Sequence, residues 1–233
     1  MFGPEPISDL ALVHLIRPAE LEEQTPPPLL VLLHGVGSDE RDLFSFADYL
    51  DPRCIVAAVR APRAYDYGGH SWFAVDLDPE RFTANEKHVE ESLGLLTRFM
   101  GEAVERYGAD PRRVYLGGFS QGGFMALLAG LSQPQLIAGI VSMSGRLTDE
   151  VTPVFAPPTA LKGLPILMTH GTRDPIIPIN HARHTRDIVQ ALPVALTYHE
   201  YDMAHEVNMT SLQDVLTWVS EQLADPWHSP DQR

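Results

Sequence analysis

The chain has one cysteine, Cys54, among 233 residues, so it can form no internal disulfide and no thiolate metal cluster. The apolar run behind it, Ile55-Val56-Ala57-Ala58-Val59, predicts a buried small hydrophobe rather than a reactive thiol. Basic residues are scarce: 17 Lys and Arg stand against 31 Asp and Glu, a formal charge of -14. Phosphate surfaces repel such a chain, which argues against nucleic acid and anionic membranes as partners. No stretch is long and apolar enough to span a bilayer, and Met1-Phe2-Gly3-Pro4-Glu5-Pro6 lacks a basic segment leading into an apolar one. The expectation is a cytoplasmic protein without stable membrane insertion, in which the sequon-like Asn208-Met209-Thr210 is coincidental.

Internal repeats, low-complexity blocks and charge runs are also missing. The clusters Pro26-Pro27-Pro28 and Pro157-Pro158 are too short to link domains and read as loops. With 44% hydrophobic residues, the chain can bury one substantial core, so a single domain over residues 1–233 is expected, its core over about residues 10–223.

Apolar runs with strand character alternate with amphipathic stretches, the pattern of a mostly parallel central sheet with helices on both faces. Strands are predicted at Ala11–Ile16, Leu29–His34, Cys54–Val59, Arg113–Phe119, Ile137–Met143, Pro165–Thr169 and Val194–Tyr201. Helices are predicted at Glu40–Tyr49, Asn85–Tyr107, Gln121–Leu131, Asn180–Leu192 and Met209–Leu223. Residues Tyr65–Thr83 have no clear period and form an excursion, of the kind that shapes the ligand crevice at the carboxyl ends of such sheets.

The segment Gly118-Phe119-Ser120-Gln121-Gly122 places a serine between two glycines, after a strand-like run and before Phe124, Leu127, Leu128 and Leu131 at helical spacing. A G-x-S-x-G pentad alone is compatible with a plain glycine-rich turn. Strand before and helix after make it a nucleophile elbow, in which a tight reversal exposes a strained serine beside unpaired helix N-H groups. Ser120 is the candidate nucleophile.

A serine hydroxyl needs a base, and histidine has the suitable pKa. In this fold class the acid and then the histidine follow the serine, each on a loop after a later strand. Strand Pro165–Thr169 runs into His170-Gly171-Thr172-Arg173-Asp174-Pro175, and strand Val194–Tyr201 into Asp202-Met203-Ala204-His205-Glu206. Asp174 is therefore the candidate acid and His205 the candidate base. His199 alternates within its strand and should point off the sheet. His181 and His184, three apart on a helix, are too few ligands for a metal; no metal or cofactor is expected. Glu206 adjoins His205 too closely to align with its ring. For the oxyanion hole, one donor is the backbone N-H of Gln121, and the other is that of Val36 in the loop Leu33-His34-Gly35-Val36-Gly37.

Together Leu33-His34-Gly35-Val36-Gly37, Gly118-Phe119-Ser120-Gln121-Gly122-Gly123, His170 to Pro178 and Met203-Ala204-His205-Glu206 resemble the phospholipase/carboxylesterase family, in order from about Leu29 to Leu223. The resemblance implies a compact α/β-hydrolase fold and a serine carboxylesterase acting on a small-molecule ester, a thioester or a lysophospholipid, as monomer or homodimer. A serine peptidase on the same residues, or a non-catalytic hydrolase-like binding protein, is the alternative. Family members show Trp-Phe-Asp beside the site, whereas this chain reads Trp72-Phe73-Ala74-Val75-Asp76. Trp72 and Phe73 either bind the acyl group or anchor the excursion on the core.

Overall fold

The computed structural model describes residues 4–20, 25–78, 81–148 and 154–224, with 75–78 and 81–83 described by backbone alone. Seven strands form one sheet: β1 (His14–Arg17), β2 (Leu29–Leu33), β3 (Ile55–Val59), β8 (Val114–Phe119), β9 (Gly139–Met143), β10 (Pro165–Gly171) and β11 (Ala195–Tyr201). Their spatial order is β1-β3-β2-β8-β9-β10-β11. β1 runs antiparallel to β3, and every other pairing is parallel. All seven predicted strands are present within a few residues of their expected ends.

Side chains alternate across the sheet with the period of two that an extended backbone imposes. Leu29, Val31 and Leu33 of β2 enter one core layer with Ile55, Ala57 and Val59 of β3. Leu30, Leu32, Val56 and Ala58 enter the other. The first layer is covered by α2 (Glu86–Tyr107), α3 (Gln121–Ser132) and α4 (Ile179–Gln190), the second by α1 (Arg41–Phe44) and α5 (Met209–Ala224). Burial on both faces explains the near-continuous apolar strand sequences.

Local signals fix the helix ends. Asn85 caps α2 by accepting the His88 N-H at 3.1 Å, and Gly108 ends it at φ 66. Asn208 accepts the Ser211 N-H at 2.9 Å at the start of α5. α3 is buried from Gln121 through Leu131, as befits a helix apolar on all sides. Cys54 is fully buried, and burial pushes its thiol up to about 11.

Two expectations are revised. The helix expected over Glu40–Tyr49 breaks after Phe44 and resumes as a short turn at Ala47–Tyr49. The Ser45 hydroxyl donates back to the Asp42 carbonyl at 2.6 Å, a local bond that competes with helix continuation. The excursion carries two small hairpins, β4 (Arg63–Ala64) with β5 (His70–Ser71), and β6 (Val75–Asp78) with β7 (Arg81–Ala84). No helix among the described residues is long and apolar enough to cross a membrane.

Candidate active site

Parallel register brings the carboxyl ends of the strands to one edge: Leu33 at the end of β2 lies opposite Gly118 of β8, and Phe119 opposite Met143 of β9. Ser120 follows at φ 53, ψ -115, a left-handed conformation that is strained for a residue with a side chain. Two anchors hold it there. Its N-H donates to Met143 O at 2.8 Å, and its carbonyl accepts from Phe124 N at 3.0 Å. A methyl group at Gly118 would meet the Gly122 carbonyl, and one at Gly122 would collide with the Leu33 carbonyl and stand 2.7 Å from His34 O. The spacing of the two glycines is thus a packing requirement of the elbow.

The loops after β10 and β11 are stitched together by Thr172 N to Tyr201 O (2.8 Å) and Arg173 N to Met203 O (3.1 Å). This brings Asp174 and His205, 31 positions apart, into contact. His205 Nδ1 lies 2.6 Å from Asp174 Oδ2, and His205 Nε2 lies 3.0 Å from Ser120 Oγ. Phe119 flanks the ring at 4.9 Å between centroids. Asp174 Oδ1 accepts the N-H groups of Ile176 and Ile177, each at 2.8 Å. Burial would raise the Asp174 carboxyl, but hydrogen bonds from His205, Ile177 and Ile176 outweigh it and hold the group below its ordinary value. The carboxylate therefore stays charged beside the imidazole.

A second histidine, which the sequence reading passed over, completes this carboxylate's surroundings. His170 Nε2 lies 2.8 Å from Ile177 O and 3.3 Å from Asp174 Oδ2. Burial lowers its pKa. Its place four residues before Asp174 was the available signal.

Gly35 lies against the nucleophile: a Cβ there would stand 3.4 Å from Ser120 Cβ. The N-H of neighbouring Val36 meets no backbone acceptor among the described residues, and neither does that of Gln121 at the first position of α3. Both amides are donors in search of an acceptor next to Ser120, as first-turn helix and tight-loop amides are.

Trp72 and Phe73, singled out for an acyl pocket or for anchoring, are both 0% exposed and part of the core. Trp72 Nε1 donates to His34 O at 2.9 Å, and Phe73 stacks edge-on against Phe124 at 4.9 Å. Their surroundings are those of an anchor, and the substrate-binding expectation finds no open surface at either residue. The Gln121 side chain completes the anchor, accepting Trp72 N-H at 2.7 Å through Oε1 and donating to Phe73 O at 2.8 Å through Nε2. The side chain of Asp76 lies outside the described residues.

The rivals lie elsewhere. His199 is exposed on β11 with its ring 6.2 Å from that of Tyr201. His181 and His184 sit on α4, and the described residues hold no group of three or more His, Cys, Asp or Glu able to bind a metal. Glu206 is exposed, 3.4 Å from Ala204 N.

Residues 18–223 match the family described as Phospholipase/Carboxylesterase. An acyl-protein thioesterase 1 of Kluyveromyces lactis is 27% identical over 216 residues, covering 84% of this chain and 92% of that protein. One of Gibberella zeae is 33% identical over 119 residues, 50% of this chain and 51% of that relative, so this match spans about half of either protein. Among solved structures, esterase PE8 superposes with a TM-score of 0.76 at 26% identity, over 89% of this chain and 97% of that one. A Bacillus cereus carboxylesterase superposes at 0.75 and 22% identity over 89% and 93%, a likeness of fold.

Proposed function

The chain belongs to the phospholipase/carboxylesterase family, and from the geometry of its site we propose that it hydrolyses carboxylic esters through an acyl-enzyme on Ser120. The observation that carries this reading is the continuous proton path, with 3.0 Å from Ser120 Oγ to His205 Nε2 and 2.6 Å from His205 Nδ1 to Asp174 Oδ2. As Ser120 Oγ attacks the carbonyl carbon, its proton passes to His205 Nε2, and Asp174 stabilises the imidazolium. The carbonyl oxygen becomes an oxyanion held by the N-H groups of Val36 and Gln121. When the intermediate collapses, His205 returns the proton to the leaving alcohol or thiol. Water then attacks the acyl carbonyl, His205 takes its proton, and the acid departs as Ser120 regains its own.

Thioesters belong within the same reading. A thiolate leaves more readily than an alkoxide and asks nothing further of the site, and the Kluyveromyces lactis and Gibberella zeae relatives are named acyl-protein thioesterases. The same proposal treats the chain as one domain, supported by a single sheet to which β1 and β11 both contribute.

The test is a hydrolysis panel of p-nitrophenyl esters of rising acyl length, one thioester, one lysophospholipid and one anilide. Turnover of esters and thioester by the wild type, abolished in a folded Ser120→Ala variant, supports the reading. Undiminished turnover in that variant, or activity confined to the anilide, overturns it.

A further inference from the structure

We propose that His34 is a positioning residue of the oxyanion hole, its imidazole gripping the Gly35 carbonyl so that the N-H of Val36 is aimed at the oxygen of the reacting carbonyl. The inference rests on the roles given above to Ser120 and the Val36 amide.

His34 follows β2 and is buried. Its two ring nitrogens have partners of opposite kind. The N-H of Ala61 lies 3.0 Å from Nε2, and a backbone amide can only donate, so Nε2 is the unprotonated nitrogen. The ring proton is therefore on Nδ1, which donates to Gly35 O at 2.6 Å. The tautomer is set by Ala61, two residues past the end of the neighbouring β3, and burial lowers the pKa, which favours the neutral ring.

Gly35 O and Val36 N-H belong to one planar trans peptide unit and point in opposite directions. Holding the carbonyl toward the imidazole turns the amide the other way, and that amide has no backbone acceptor among the described residues. The unit lies against the nucleophile, as the 3.4 Å approach of a Gly35 Cβ to Ser120 Cβ requires. The preceding carbonyl, His34 O, is pinned by the Trp72 indole at 2.9 Å, and Gly37 N donates to His70 O at 2.8 Å on the far side. A loop with glycine at 35 and 37 is intrinsically free to rotate its peptides. An oxyanion donor helps only if it is oriented before the charge develops, and the imidazole supplies that orientation.

Two substitutions separate the bonds of the ring. His34→Asn puts an amide N-H near the place of Nδ1 and keeps the grip on Gly35; His34→Gln reaches the place of Nε2 and keeps the acceptor for Ala61. We expect His34→Gln to lower kcat on the order of 10²-fold, the cost of losing one oxyanion donor, with KM within about twofold. Inhibition by a trifluoromethyl ketone, whose hemiketal oxygen occupies the same hole, should weaken by the same factor. His34→Asn should regain at least about tenfold of the lost rate, with thermal melts checking that both variants fold. The reverse ranking would assign the ring to holding Ala61 and overturn the proposal, as would a kcat loss without a matching loss of ketone affinity. Should neither variant fold, imidazole 15N chemical shifts of the wild type decide it: a protonated Nδ1 on His34 is expected, and a protonated Nε2 overturns the proposal. A wild type inert toward all esters overturns the hydrolase reading beneath it, whereas an active wild type matched by His34→Gln overturns this inference alone.

Discussion

Asp174 presents its two oxygens to different partners: Oδ2 faces His205 Nδ1 at 2.6 Å, while Oδ1 is taken by the N-H groups of Ile176 and Ile177. An asparagine at this position would keep its oxygen toward the two amides and turn its NH2 toward His205. The imidazole would then have to accept at Nδ1 and carry its proton on Nε2, facing Ser120, where it cannot act as a base. Asp174→Asn should therefore lower kcat by roughly 10⁴-fold while the fold persists. Steady-state kinetics with a thermal melt check this, and a loss below about tenfold contradicts the assignment.

The Gln121 side chain ties the excursion to the elbow through Trp72 N and Phe73 O. Gln121→Leu keeps the length but leaves a buried donor and a buried acceptor unpaired, at about 1–3 kcal/mol each. Denaturant unfolding should show a loss of roughly 2–6 kcal/mol, and hydrogen exchange at the Trp72 amide should accelerate. Unchanged exchange there would mean that the anchor lies elsewhere.

Asp51 links the loop before β3 to α5. Its carboxylate takes the Arg53 guanidinium at 2.6 and 2.9 Å, the Arg53 N-H at 2.9 Å and the Ser220 hydroxyl at 3.0 Å. The bond from the Arg53 side chain is the main cause that lowers the carboxyl from 3.8 to about 2, against the opposing effect of burial. A folded value below the unfolded one stabilises the fold fully above about pH 4, and that contribution is lost as pH falls toward about 2. Asp51→Asn should thus cost about 2 kcal/mol at neutral pH, with the gap to wild type closing between about pH 4 and pH 2. Urea melts across that range test it; a gap that stays constant to the acid end contradicts the linkage.

The parts of the site carried by short contiguous signals were legible in the sequence. Gly118, Ser120 and Gly122 announce a strand-to-helix reversal because no other residue fits where glycine meets backbone, and Ser120 sits at that reversal between β8 and α3. Asp174 and His205 are legible because each lies in the loop that follows a late strand, at the sheet's carboxyl edge. Pairwise tertiary relations were not legible. The sequence of Trp72-Phe73 is the same whether the rings face an acyl chain or the core, and only their full burial, the bond from the Trp72 indole to His34 and the contact of Phe73 with Phe124 tell which. The roles of His34 and His170 depend on Ala61 and Ile177, partners that no periodicity marks. Hairpins such as β4–β5, two residues per strand, are too short to generate a hydrophobic period.

The most direct test is to trap the covalent intermediate. Wild-type protein quenched in acid within the first turnovers of p-nitrophenyl acetate, digested and analysed by mass spectrometry, should carry an acetyl group on the peptide containing Ser120, formed as fast as the burst of p-nitrophenol. Steady hydrolysis with Ser120 unmodified throughout, or an acetyl group mapped to another side chain, would contradict the acyl-enzyme.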